Sequence, residues 1–144
     1  NEDKRLYKRI APGDIGYNTM RMWQGVSALS SLEGIVSPAY TVCVPQADID
    51  PRFAAYLFKF PPMVHLFHRH SQGLVDDTLN LKFSNFAKLR VTLPSMKEQM
   101  EITECLACCD REIDGLCQKR DAVKEQKKGL MQRLLTGKVR VVSL

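Results

Sequence analysis

A short polar segment, residues 18–25, carries side chains suited to recognising nucleobases. It places two amides, a guanidinium and an indole close together, in Asn18, Arg21, Trp23 and Gln24. The forked donors and acceptors of Arg, Asn and Gln match the hydrogen-bonding edges of guanine and adenine. The segment therefore predicts contacts to DNA bases, with Trp23 as a wedge or stacking plane. The alternative is that Trp23 belongs to the core and Arg21 is a solvated charge.

A second segment, residues 69–80, has a similar inventory around Gly73. Its candidate DNA-binding side chains are Arg69, Gln72 and Asn80. Lys82 follows as a candidate phosphate contact, because lysine and arginine contacts to phosphates set the affinity and salt dependence of DNA binding. The alternative for each of these residues is an ordinary solvated surface.

Metal chemistry has less support. His65 and His68 are three residues apart, so on a helix they would lie on one face, and with His70 they could bind a metal ion. No Glu or Cys lies near them in sequence to complete a site. Four of the five cysteines lie on one predicted straight helix, a poor geometry for a single zinc ion. Three of them lie on or beside the apolar stripe of this helix, and we predict that they act as small apolar side chains: Cys105, Cys109 and Cys117.

Autonomous catalysis is not expected either. Residues 60–63 contain two prolines but lack the amide and the aromatic residue of a DNA methyltransferase loop. Residues 129–138 contain Gly-Lys, but a valine follows and the stretch belongs to a predicted helix, so it does not match a phosphate-binding loop. We therefore predict a non-catalytic protein without a cofactor or a bound metal.

One long helix is predicted to organise the chain. Ser95 caps it, Glu98 completes a capping box, and Gly137 provides the stop signal. Within it, ten positions follow alternating steps of four and three, and eight of the ten are apolar. We call these ten positions the seam: Ile102, Leu106, Cys109, Ile113, Leu116, Arg120, Val123, Lys127, Leu130 and Leu134. Such a repeat is typical of a coiled coil, although an amphipathic helix packed on its own domain would also have an apolar stripe.

Charge along this helix selects a pairing direction. Residues 96–114 contain six acids and two bases, whereas residues 115–138 contain seven bases and two acids. Two parallel copies would bring like charges together, while an antiparallel arrangement brings acid against base. We therefore predict an antiparallel partner helix of the same kind.

The rest of the chain predicts a small mixed domain. Strands are expected near residues 15–18, 25–27, 34–36, 40–44 and 91–93, and helices from Asp50-Pro51, at 63–68 and at 82–89. The predicted fold class is thus α/β in the broad α+β sense. It comprises a domain at 1–94, a long C-terminal helix at 95–138 that forms an antiparallel coiled coil, and a short tail at 139–144.

Composition sets further bounds. The 144 residues carry a net charge of +5, which favours an anionic partner, and 44% of them are hydrophobic, which is enough for a core. The sequence contains no run of eighteen apolar residues and no signal-peptide pattern. A cytoplasmic protein without a membrane partner is expected.

Several motifs together resemble the specificity subunit of type I restriction–modification enzymes. Residues 12–21 and 34–40 resemble the core of that family's target recognition domain, and residues 79–83 and 91–94 resemble its exit strand. Residues 98–102 and 130–140 resemble the two ends of its spacer helix. This pair, Glu-Gln-x-x-Ile at residues 98–102 and Leu-Met-Gln-x-Leu-Leu-Thr-Gly-Lys-x-Arg at residues 130–140, is the most specific of the motifs.

The resemblance implies a recognition function without bond chemistry. In that family two recognition domains, held apart by antiparallel helices, each recognise half of a split DNA target. The subunit recruits DNA methyltransferase (M) subunits and restriction/translocase (R) subunits. This chain resembles one domain and one helix, and we expect residues of the domain before Asn1. The partner helix would come from a second copy or a second half. The alternative is a coiled-coil adaptor without DNA specificity.

Overall fold

The computed structural model describes residues 4–75 and 78–141 and confirms a mixed α+β chain with a long C-terminal helix. The chain divides into two units, one up to Thr103 and one from Glu104. Of the predicted tail at 139–144, the last three residues lie outside the described part. None of the helices in that part combines the length and apolar character that a membrane crossing requires.

Two small antiparallel sheets form the β part of the first unit. Strand β1 (Lys8–Ile10) pairs with β4 (Gly34–Val36), and β2 (Ile15–Asn18) lies between β3 (Ser27–Leu29) and β5 (Tyr40–Cys43). The central strand β2 is the most buried of the five, which follows from its position between two neighbours. It therefore holds the segment that follows Asn18 close to the core.

The strand predictions were right for β2, β4 and β5, and wrong elsewhere. Strand β3 begins at Ser27 and not at residue 25, because Gly25 adopts a left-handed backbone with φ 75° and ends a 3₁₀ helix. Residues 91–93 form no strand, and β1 was not predicted because its polar sequence gives no local signal.

The helices of the first unit follow their capping signals. Helix α1 (Pro51–Leu57) starts after Asp50, whose Oδ1 accepts a hydrogen bond from the Phe53 amide at 2.8 Å. Helix α2 (Pro61–His70) begins earlier than the predicted residue 63, because a proline is well accommodated in the first turn. Helix α3 (Phe83–Phe86) occupies part of the predicted 82–89.

The core gathers side chains from β2, α1, α2 and the segment around Leu81. Aromatic rings join these elements: Tyr17 stacks on Phe86 with ring centroids 5.2 Å apart, and Phe58 meets Phe67 edge-on at 5.5 Å. The buried cluster consists of Ile15, Tyr17, Met22, Ala54, Phe58, Met63, Phe67 and Leu81. Because it joins residues far apart in sequence, it fixes the loops that leave these elements.

The long helix, α4 (Met96–Leu135), begins and ends as predicted. The Ser95 amide and hydroxyl both donate to Glu98 Oε2, at 2.9 and 2.7 Å, and these bonds lower the pKa of the Glu98 carboxyl. At the other end Gly137 takes a left-handed φ of 71°. The capping box and the glycine stop are therefore both present.

The first two turns of α4 belong to the first unit. Gln99 is only 1% exposed: its Oε1 accepts from the Asp50 amide at 2.9 Å, and its Nε2 donates to the carbonyls of Asp48 and Pro94 at 3.1 and 3.0 Å. Thr103, one turn later, is fully buried. Residue 95 thus marks the start of the helix, whereas the compact unit continues to Thr103.

The seam is open to solvent. Its apolar side chains are exposed by between 39% for Leu106 and 59% for Leu116. These fractions leave the apolar positions of the seam, which Arg120 and Lys127 interrupt, available for a partner. Pairing of α4 remains a prediction.

Replacing Gln99 by alanine should destabilise the first unit. The Asp50 amide and two carbonyls would lose their partner in a buried place, which costs about 1–3 kcal/mol of unfolding free energy. Urea denaturation measures the loss. The matched control is Gln126→Ala, an exposed glutamine of the same helix. For this control we expect a change within about 0.5 kcal/mol. Equal losses in the two variants would contradict the assigned role of Gln99.

Candidate nucleic-acid interface

The first polar segment is a rigid turn that leads into the 3₁₀ helix Met22–Gln24. Asn18 Oδ1 accepts a hydrogen bond from the Met20 amide at 3.0 Å, which closes an Asx turn. Met22 is fully buried in the core, and the Gly25 amide donates back to the Met22 carbonyl at 2.8 Å. The buried Met22 side chain thus anchors the backbone of the segment to the core.

The predicted site residues of this turn differ in their roles. Arg21 and Gln24 are exposed, and within the described residues their side chains have no hydrogen bond or ion pair. Asn18 is half-buried and uses its oxygen inside the turn. Trp23 is half-buried as well: its indole N–H donates to the Met20 carbonyl at 3.1 Å. Arg21 and Gln24 therefore present free polar groups, while Asn18 and Trp23 hold the turn.

The second polar segment is closed by a backbone bridge. The amides of Gln72 and Asn80 each donate to the other residue's carbonyl, at 3.0 and 2.8 Å. A Cβ at Gly73 would lie 2.7 Å from the Thr78 carbonyl carbon and oxygen, so only glycine fits there. Gln72 is exposed, but Asn80 Oδ1 is buried without a hydrogen-bond partner among the described atoms. Asn80 therefore does not present its oxygen at the surface.

The structure brings the two segments together, although they are distant in sequence. The Leu81 amide donates to the Thr19 carbonyl at 2.8 Å, and the rings of Trp23 and His68 meet edge-on at 5.9 Å. Leu81 itself is fully buried. We define the candidate interface as the exposed polar side chains of the two joined segments: Arg21, Gln24, Arg69 and Gln72.

The described residues of the candidate interface include two exposed arginines, Arg21 and Arg69. Arg69 is exposed in the last turn of α2, where a cation suits the negative end of the helix dipole. As for Arg21, its side chain has no hydrogen bond or ion pair within the described residues. Lys82, next to the joining residue Leu81, is exposed too. These cations can attract a polyanion, and the neighbouring amides can form directed hydrogen bonds.

Lys59 is a supporting residue that the sequence did not reveal. Its Nζ donates to the carbonyls of Gly25 and Ser27, at 2.8 and 2.6 Å, and so fixes the exit of the first segment. Nothing in the local sequence distinguishes this lysine from a solvated one. Its role depends on the packing of helix α1 against strand β3.

A metal site among the described residues would need a cluster of ligating side chains. No group of three His, Cys, Asp or Glu side chains there is arranged to hold a metal ion. The ring Nδ1 of His70 lies 2.9 Å from the Leu66 carbonyl, and His68 packs on Trp23. The histidines of α2 thus contribute to the packing around the candidate interface.

No model of a known protein family matches this chain. Functional inference therefore depends on the motifs and on the geometry of the candidate interface.

Replacing Gly73 by alanine should loosen the bridge that closes the second segment. The added methyl group would require the Thr78 backbone to move, and the two amides of the bridge would then open more often. Hydrogen exchange at the Gln72 and Asn80 amides is expected to accelerate about tenfold or more. The control is Gly34→Ala, where a Cβ meets nothing within 4 Å. Unchanged exchange at both amides would show that the close approach is not a constraint.

Proposed function

We propose that this chain is the DNA-recognition part of a type I restriction–modification specificity subunit. It recognises half of a split target and recruits M subunits and, for cleavage, R subunits. The motifs support this proposal, but the observation that carries it is geometric. Two segments with side chains suited to base contacts, remote in sequence, are joined by the hydrogen bond from Leu81 to Thr19 and by the ring contact between Trp23 and His68.

The proposed mechanism is positioning. Arg69 and Lys82 contact phosphates and orient the domain on the duplex. Arg21 and Gln24 reach base edges in the major groove, where their forked groups distinguish guanine and adenine from other bases. Asn18 and Trp23 keep the turn in shape. Methylation and cleavage belong to the recruited subunits, in a cytoplasmic complex.

In the proposal α4 pairs with an antiparallel helix, which would belong to a second copy or a second half. The seam has a symmetry that suits two copies: from its ends inwards, Ile102 comes opposite Leu134, and Leu106 opposite Leu130. Each of the two basic seam positions then faces an uncharged one, since Lys127 meets Cys109 and Arg120 meets Leu116. The midpoint of this register lies at Gln118. The helix length would set the distance between the two half-sites.

A coiled-coil adaptor without DNA specificity is the second candidate. The exposed seam favours it as much as it favours the DNA-recognition proposal, since both need a partner helix. The two candidates differ in DNA binding. Only a DNA-binding protein releases counterions from the duplex, so only it has an affinity that falls steeply with salt.

Selection from a pool of random DNA duplexes tests recognition, and we expect a short or split motif to be enriched. On the enriched duplex, Arg21→Ala should cost about 1–3 kcal/mol and relax the preference at one position, because a base contact is lost. Arg69→Ala should weaken binding to all duplexes alike and reduce the salt slope by about one. Fluorescence anisotropy at several salt concentrations gives both quantities.

The control for these variants is Arg9→Ala. It makes the same change in net charge, but Arg9 is bound to Glu33 at 2.7 Å, so little effect on DNA affinity is expected. Absence of an enriched motif together with absence of a salt slope would refute DNA recognition and leave the adaptor.

Thiol crosslinking tests the direction of pairing. In the antiparallel register Cys117 lies beside its own copy, next to the midpoint, whereas Cys109 is about 27 Å from its copy. A chain that retains only Cys117, with the other cysteines replaced by serine, should form a covalent dimer with a short bismaleimide. A chain that retains only Cys109 should not. Product from the chain that retains only Cys109 would indicate a parallel pair, because each seam residue then meets its own copy.

A further inference from the structure

The seam cannot extend beyond Ile102 towards the N-terminus of α4. One step before Ile102, the stripe arrives at Gln99, which is buried by its bonds to Asp48, Asp50 and Pro94. This position is already occupied by the first unit. A partner helix can therefore use the stripe only as far as Ile102.

The C-terminal end of α4 matches this limit. In the antiparallel register Leu134 comes opposite Ile102, so Gly137 comes opposite Gln99. Gly137 is where the backbone turns out of the helix, with φ 71°, and the Val139 amide closes the end on the Arg133 carbonyl at 3.1 Å. The helix of one copy thus ends at the level where the stripe of the other becomes unavailable.

An apolar cavity of about 340 Å³ lies in the first unit at this level. Its wall includes the segment that bonds to Gln99 and the segment that leads into Pro94; six of its lining residues are Asp48, Ile49, Leu57, Phe86, Val91 and Leu93. Burial also raises the pKa of the Cys43 thiol in its wall to about 11, which marks a poorly hydrated environment. The cavity can accept branched apolar side chains.

The residues after Gly137 have the complementary chemistry. Val139 and Val141 are 46% and 79% exposed, and they alternate with the cations Lys138 and Arg140. At the cavity the Asp48 carboxylate is exposed and has no ion pair within the described residues. Two valines that alternate with two cations fit an apolar cavity beside a carboxylate.

We propose that Val139 and Val141 of one copy fill the apolar cavity of a second copy, with Lys138 or Arg140 against Asp48. This inference depends on the antiparallel pairing proposed above, since that register brings Gly137, just before the segment, to the level of Gln99. The two-fold symmetry of the pair makes the contact twice. Each recognition domain is then held by the helix of the other copy as well as by its own.

Site-directed crosslinking between two distinguishable copies tests the contact. The native cysteines are replaced, Cys43 by alanine and the four of α4 by serine. One tagged copy carries Val44→Cys in the cavity wall, and the untagged copy carries Val141→Cys. A short bismaleimide should join them into a mixed dimer. The control exchanges Val44→Cys for Leu32→Cys, which is also exposed but does not line the cavity, and should give little product.

The Cys117 experiment separates the two possible failures. If chains retaining only Cys117 form the covalent dimer but the Val44→Cys and Val141→Cys pair gives no more product than the control, this inference is wrong and the pairing stands. If the Cys117 dimer does not form either, both are wrong. As a second measurement, Val141→Asp should weaken the dimer about tenfold or more, because a charge cannot enter the cavity. Leu32→Asp should leave the dimer unchanged, and equal effects would overturn the inference.

Discussion

The Gln99 amide joins the start of α4 to the segment at Asp48 and Asp50, which lies about fifty residues earlier in the chain. Its Oε1 accepts a hydrogen bond from the Asp50 amide, and its Nε2 donates to the carbonyls of Asp48 and Pro94. The Asp50 carboxylate in turn caps α1. A buried amide with all these partners is costly to disturb, because every broken bond leaves a buried polar group. These bonds therefore fix the start of α4 relative to the start of α1 and to the loop that precedes α1. This arrangement also determines how much of the seam a partner could use.

The candidate interface depends on contacts of the same nonlocal kind. Its backbone is fixed by the bond between Leu81 and Thr19, by the bridge between Gln72 and Asn80, and by the buried Met22. Its exposed side chains take no part in these bonds. A surface built in this way leaves its polar side chains open to solvent while hydrogen bonds hold the backbone beneath them.

Local signals in the sequence predicted local structure well. The capping box of α4, the Asp50-Pro51 start of α1, the glycine stop and strands β2, β4 and β5 were all predicted correctly. Features that depend on distant partners were not. Strand β1 forms only because β4 is beside it, Gln99 is buried although its type suits a surface, and Lys59 gives no signal in its neighbours. For the candidate interface, the sequence predicted both segments, but not that Asn80 turns its oxygen inward or that Trp23 supports the turn.

The turn at residues 18–25 has a consequence for how such a domain can evolve. Its anchors are backbone carbonyls and amides bound by Asn18, Gly25 and Lys59, while Arg21 and Gln24 contribute no side-chain bond to its closure. Substitutions at these two positions therefore leave the fold almost untouched, since exposed changes away from bonds usually cost little. These two exposed positions can therefore change by drift, without a loss of stability that other mutations would have to restore.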